Sequence, residues 1–291
     1  MIAGFSITSL LLILLAGIGA GFVGYAVGAS SLVSYPALLA FGIPPVLANA
    51  SNTVGVVGTG IGGVMGARKE LKGQAVRSIT YVVIGAFGGV AGAFLLLKLD
   101  PSVFEFAAPV LILLSSLIIA INPRGRMQAK QAAADATAQL KHIEATEATE
   151  AAKRATTPTA PHRPPEQLVQ PMSQDSWVWL GVAAVAIYSG YFGAGAGTLA
   201  LAVLDAAKIG PFHKINALKT LIGTGANISA SVVFIIQGAV DWPAAIMLCI
   251  GCFIGGYIAP SITRKIPANI MRAAAVIAGI ILTIDLGLKT Y

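Results

Sequence analysis

The sequence predicts an all-α, polytopic bundle of transmembrane helices built from two homologous repeats, and three observations predict it. Hydrophobic residues make up 56% of the 291 and charged ones only 11%, with a mean hydropathy of +0.81, whereas a soluble domain carries about 25% charged residues. Apolar runs of the roughly 20 residues that a helix needs to cross a bilayer core recur along the chain. Motifs that precede a polar stretch in the middle of the chain return in the same order after it.

In chain order, long apolar helices are expected at 4–28, 48–66, 75–98, 103–121, 177–197, 214–237, 243–263 and 268–288. The first could be mistaken for a signal peptide, but no Lys or Arg precedes its apolar core and no small-x-small cleavage site follows. It is expected to be a retained span. Two shorter apolar stretches, 30–43 and 198–210, are too short to span comfortably and are expected to be broken or re-entrant helices. Each repeat then holds four long helices plus one short segment. Residues 1–122 form the first repeat, 123–176 a linker, and 177–291 the second repeat. The linker opens with Arg124, Arg126 and Lys130, continues as an Ala/Thr/Glu stretch and turns Pro-rich, the composition of a largely disordered cytoplasmic tether.

The formal charge of +7 does not indicate a nucleic-acid partner, because the basic residues are scattered over loops without aromatic interleaving. They serve better as topology markers, since cytoplasmic loops are enriched in Lys and Arg. The loop "ARKELKGQAVR" holds Arg68, Lys69, Lys72 and Arg77 and is expected to be cytoplasmic, while "KLDPSVFE" sets one Lys against Asp100 and Glu105. Cys249 and Cys252 lie in an apolar C-I-G-C without the His or further Cys that a zinc site needs, so packing is the expected role. No cofactor or metal is called for, and no Ser/His/Asp, Cys/His or paired-carboxylate constellation supports an enzyme.

The duplication can be followed residue by residue. "GFVGYAVG" from Gly21 matches "GYFGAGAG" from Gly190, "NASNT" (49–53) matches "NALKT" (216–220), and "GAFGGVAG" from Gly85 matches "GCFIGGYIA" from Gly251. Loop charges swap between the copies, which suggests inverted repeats. Inversion needs an odd number of crossings per half, so the short segments would have to count as crossings. With eight spans and two re-entrant loops the repeats would be parallel instead.

These residues also carry a resemblance. "FGIPPVLANASNTVGVVG" followed by "ARKEL", then "SGYFGAGAGTLAL", "NALKT" and "GAVDW", resemble the TauE/SafE family of membrane transporters, over roughly residues 5–121 and 177–288. The stretch "GFVGYAVGASS" is poorer in glycine than the family's first motif usually is. The resemblance implies an inner or plasma membrane secondary transporter for a small anion such as sulfite, an organosulfonate or another organic anion. A passive anion channel and a non-transporting scaffold or sensor are the competing readings. The expected partners are the anion and the lipid bilayer, and a homo-oligomer is compatible with the sequence.

At helical spacing, Asn216, Lys219, Thr220, Gly223, Asn227 and Ser231 share one stripe, and Asn49, Asn52, Thr53, Val56 and Gly60 share its counterpart. Polar and charged groups at membrane depth are costly, about 2.5–3.5 kcal/mol for a central Lys on insertion scales, and tend to be functional. Asn49, Ser51, Asn52, Thr53, Asn216, Lys219, Thr220 and Asn227 are therefore the candidate substrate-binding residues, with interhelical hydrogen bonding, or snorkelling for Lys219, as the plain alternative. Ser30, Ser31 and Thr198 stand where Gly-rich turns precede the short segments, so that half-helix N-termini could offer dipoles to an anion; simple capping is the alternative. Asp205 is a candidate proton carrier or partner of Lys219, or an interfacial aspartate. "GTGIGG" fits a nucleotide-binding pattern but lacks the strand-turn-helix context, so Gly58, Gly62 and Gly66 are expected to form a close-packing helix face. His213, a lone histidine beside Lys214, is expected at the interface.

Overall fold

The computed structural model describes residues 5–68, 71, 73–121, 176–207, 209, 212–262 and 268–290, with a few helical residues between 133 and 140. The expected disorder of the linker and the interfacial place of His213's side chain lie outside the described residues. Among the described residues the protein is all-helical, with no strand. Its helices are α1 (Ile7–Val27), α2 (Ser31–Ala40), α3 (Pro45–Gly66), α4 (Ala75–Lys98), α5 (Pro101–Ile121), α6 (Ser176–Tyr191), α7 (Ala196–Ala206), α8 (Phe212–Ile236), α9 (Trp242–Ile262) and α10 (Ala268–Thr290).

Local chemistry sets these boundaries. The Ser6 hydroxyl accepts from the Ser9 N–H at 3.0 Å and starts α1, and Pro45, with no N–H to lose, opens α3. Asp100 caps the start of α5, accepting from the Ser102 N–H at 2.9 Å and hydroxyl at 2.6 Å, and these bonds hold its carboxyl below the usual range. Gly28 ends α1 in the left-handed region at φ +89°. The helix expected over 177–197 stops at Tyr191, because Gly193 and Gly195 take φ +77° and +71° and reset the chain before α7. Among the described residues, five helices are long and apolar enough to cross a membrane: α1, α4, α5, Lys214–Ile236 of α8, and α9. Helix α3 is as long, but "NASNT" and six glycines lower its hydropathy below theirs.

Glycine contacts define the directions of the helices. Gly17 of α1 faces Leu248 and Gly251 of α9, and Gly21 faces Cys252 and Gly256, so α1 and α9 run parallel. Gly58, Gly62 and Gly66 of α3 meet Cys249, Phe253, Tyr257 and Pro260 in rising order, so α3 also runs parallel to α9. The glycine ladder is a close-packing face, as expected. In the same way, α4 runs parallel to α8 through Gly85 and Gly89 against Ile222 and Ala226, and to α6 through Gly88 and Gly92 against Ala186 and Ile187. Contacts of Gly60 with Thr224 and Gly63 with Thr220 set α3 and α8 antiparallel. Gly181 against Val203 reverses α7 relative to α6. Ser116 and Leu32 both meet Gly279, while Glu105 and Pro36 share a cavity wall with Asp285. Helix α10 is therefore antiparallel to α5 and parallel to α2. Odd-numbered helices run one way and even-numbered helices the other.

Two groups of helices result, and each borrows a member from the opposite half of the chain. Helix α9 sits between α1 and α3, with α2 alongside; α4 sits between α6 and α8, with α7 alongside. Helices α5 and α10 pair with each other outside these groups. The groups meet where α3 crosses α8 and where Gly28 packs directly on the Gly197 backbone. Arg68, Arg77, Lys214 and Asp205 lie at the end of the bundle from which α5 leaves and α6 enters. Lys98, Asp100, Glu105, Asp241 and Asp285 lie at the other.

Candidate functional site

A cavity of ≈ 80 Å³ lies between the two groups. Since about 10–15 Å³ of such space holds one water, it has room for several waters or one small ion. The starts of both short helices line it, α2 through Ser30 and Ser31 and α7 through Ala196 and Gly197. Each helix N-terminus carries a partial positive charge of about half a unit. From α8 come Lys219, Thr220, Gly223, Thr224 and Asn227, and from α3 Thr53, Val56, Thr59 and Gly60. Among the described lining residues Lys219 is the one charged side chain, and there is no carboxylate. Lys219 is 4% exposed, and its ammonium donates to the Tyr25 carbonyl at 3.3 Å.

That bond illustrates how the site is built. A helix that stops inside a membrane protein leaves its last carbonyls without intrahelical partners, and no lipid group can satisfy them. Here the opposite group of helices supplies the donors. Lys219 serves Tyr25, the Thr198 hydroxyl donates to the Val27 carbonyl at 2.8 Å, and the Asn49 amide donates to the Tyr191 carbonyl at 2.8 Å. Ala194, which the sequence match sets against Tyr25, receives the Ser115 hydroxyl at 2.6 Å and the Tyr188 hydroxyl at 2.7 Å.

The structure sorts the expected residues by position. Ser30, Ser31, Thr53, Lys219, Thr220 and Asn227 line the cavity. Thr53 and Thr220 bond the carbonyls of Asn49 and Asn216 one turn back, both at 2.9 Å, and Asn227 accepts from Ser189 at 3.5 Å. Asn49, Ser51, Asn52, Thr198 and Asn216 are fully or almost fully buried but not part of the lining. Ser51 accepts from the Asp241 N–H at 2.8 Å. Asn52 donates to Ser31 at 3.0 Å and accepts from Ser34. The side-chain oxygens of Asn49 and Asn216 are buried without a hydrogen-bond partner. Asp205 lies late in α7, partly exposed and away from the lining. Sequence reasoning missed Ser189, Thr224 and the Tyr25 carbonyl. Thr224, four residues beyond Thr220, was readable from helical spacing, whereas a backbone acceptor leaves no trace in residue type.

Asn49→Ala would leave the Tyr191 carbonyl buried and unpaired, at a cost of about 1–3 kcal/mol. The variant should melt at lower temperature in detergent, while the anion concentration for half-maximal flux stays that of the parent.

Comparison with known proteins gives a consistent set of likenesses. The family model described as "Sulfite exporter TauE/SafE" matches residues 13–286. A "Probable membrane transporter protein ORF9" from a Sinorhizobium species is 24% identical over 272 residues, covering 92% of this chain and 88% of its own. A "Probable membrane transporter protein" from Haemophilus influenzae is 22% identical over 271 residues, covering 92% and 90%. No solved structure matches the chain significantly.

Proposed function

The chain is a membrane transporter of the Sulfite exporter TauE/SafE family, and from that premise we propose that it is a secondary transporter whose central cavity binds one small anion. The observation that carries this reading is the meeting of two half-helix N-termini and a buried ammonium in one cavity with no carboxylate in its described lining. Two half-charges and one full charge give a nominal +2, which stabilises an anion in a site of low dielectric. Lys219 is the principal ligand. Ser30 and Ser31 supply hydroxyl donors and Asn227 an amide, while Thr53 and Thr220 line the wall with their hydroxyls turned back to the Asn49 and Asn216 carbonyls. Asn49, Asn52 and Thr198 hold the interrupted helices in place around it, and Ser51 ties α3 to the start of α9. The cavity's volume favours an inorganic oxyanion such as sulfite over a bulky organic anion, and leaves no counter-charge for an ammonium group on the substrate.

The architecture proposed for this activity is a pair of inverted repeats, 1–122 and 177–291, joined by the linker 123–176. Strict alternation of direction over five helices per half supports it, since each helix then runs opposite to its counterpart. The end carrying Arg68, Arg77 and Lys214 faces the cytoplasm under the positive-inside rule, and the linker with it, in the inner or plasma membrane. The test is uptake of a panel of small anions into proteoliposomes, with and without a pH gradient. Gradient-driven accumulation of one anion is the expected result. Fast flux indifferent to the gradient would make the protein a channel, and absence of any flux would overturn the transport reading.

A further inference from the structure

Helix α2 separates the central cavity from a second, larger one. On its inner side Ser30 and Ser31 line the ≈ 80 Å³ cavity. On its outer side Leu32, Val33, Tyr35, Pro36 and Leu39 line a cavity of ≈ 870 Å³, which reaches the acidic end of the bundle between α2, α5 and α10, beside Glu105 and Asp285. A ten-residue helix with open space behind it is held by what lies in front. Besides the apolar packing of Leu32, Tyr35 and Leu38, a polar clasp from α3 holds it: the Asn52 amide donates to the Ser31 hydroxyl and its oxygen accepts from Ser34.

Other features weaken the hold. Pro36, inside the helix, removes a hydrogen bond from an already short ladder. Both flanks are left-handed glycines, Gly28 at φ +89° and Gly42 at φ +79°, and a side chain added at Gly42 would meet nothing within 4 Å. The Tyr35 hydroxyl is buried without a hydrogen-bond partner, and its ring makes edge contacts with Phe104 and Phe192, 6.4 and 5.4 Å between centroids. The present position of α2 therefore leaves a polar group unsatisfied that an outward position would bring to water. The matched position of Asn52 in the second half is Lys219, which donates across to the Tyr25 carbonyl of the opposite group.

We propose that α2 is the gate of the central cavity at the acidic end, that Asn52 is the positioning residue that latches it shut, and that the larger cavity is the space into which it swings. The proposal rests on the transport reading for its purpose and for its flux test, but not for its labelling test. In the full chain, with Cys249 and Cys252 replaced by alanine, Ser30→Cys, at a cavity-lining position whose side chain takes no part in the clasp, reports access to the central cavity. A membrane-impermeant, charged thiol reagent is added on the acidic side. Adding Asn52→Ala should raise the labelling rate roughly tenfold or more, because two hydrogen bonds no longer bias the closed state; Ser34→Ala should do so to a lesser degree and keeps the test valid if the first variant fails to fold. An unchanged rate in both variants overturns the gate. With only Cys249 and Cys252 replaced by alanine, oxidising Ser34→Cys with Asn52→Cys should block anion flux, and reduction should restore it; undiminished flux in the cross-linked protein overturns it equally. Faster labelling in a protein that moves no anion would leave the gate standing and remove the transport reading.

Discussion

Lys219→Gln should lower anion flux by roughly tenfold to a hundredfold, since a hydrogen bond to a charged group is worth about 1.5–3 kcal/mol and each 1.4 kcal/mol is a factor of about ten. Glutamine keeps a donor for the Tyr25 carbonyl, so the end of α1 stays capped and the loss isolates the charge. Lys219→Met, which fills similar volume but donates nothing, should lose both flux and thermal stability. The comparison is read as initial uptake rates in proteoliposomes beside melting curves in detergent. Parental flux in the glutamine variant would mean that the ammonium serves only to cap α1, and that the helix N-termini suffice for the anion.

Gly89→Val should abolish folding. Gly89 sits where α4 touches α6 and α8 at once: a Cβ there would collide with the Ala226 backbone and the Ser229 hydroxyl, and the Cα of Gly89 already stands 2.7 Å from where a side chain on Gly190 would begin. Overpacking usually costs about 1–3 kcal/mol, and backbone opposite backbone gives neither helix room to adjust. The expected readout is loss of the monodisperse peak on size-exclusion chromatography. Gly223→Ala is the contrast. Nothing lies within 4 Å of a side chain added there, yet Gly223 lines the central cavity, so the variant should fold normally and require more anion for half-maximal flux. Folding of Gly89→Val or unaltered flux in Gly223→Ala would separate the glycine seams from the roles assigned to them.

The helices were legible in the sequence because apolar length and Gly/Pro punctuation are local properties. The stop at Tyr191 was not, since the apolar run continues to Gly197 and only the left-handed turns at Gly193 and Gly195 end the helix. For the site, Lys219, Thr220, Gly223 and Asn227 of the stripe drawn by helical spacing line one wall, whereas Asn216 and Ser231 of the same stripe do not. Spacing could not divide Thr53, which faces the cavity, from Asn49 and Asn52, which spend their amides on Tyr191, Ser31 and Ser34, because those partners are backbone or distant in sequence. The larger cavity behind α2 depends on how α5 and α10 pair, and no stretch of residues announces it.

The exchange of α4 and α9 between the two groups also bears on how the protein is made. During synthesis α1 and α3 leave the ribosome early, yet the glycine faces that Gly17, Gly21, Gly58 and Gly62 present are filled by α9, which begins only at Trp242. Helix α4 likewise waits for α6 and α8. The nascent first half must therefore persist in the insertion machinery as a set of incomplete contacts, and maturation becomes a late, concerted closure instead of the sequential completion of two domains.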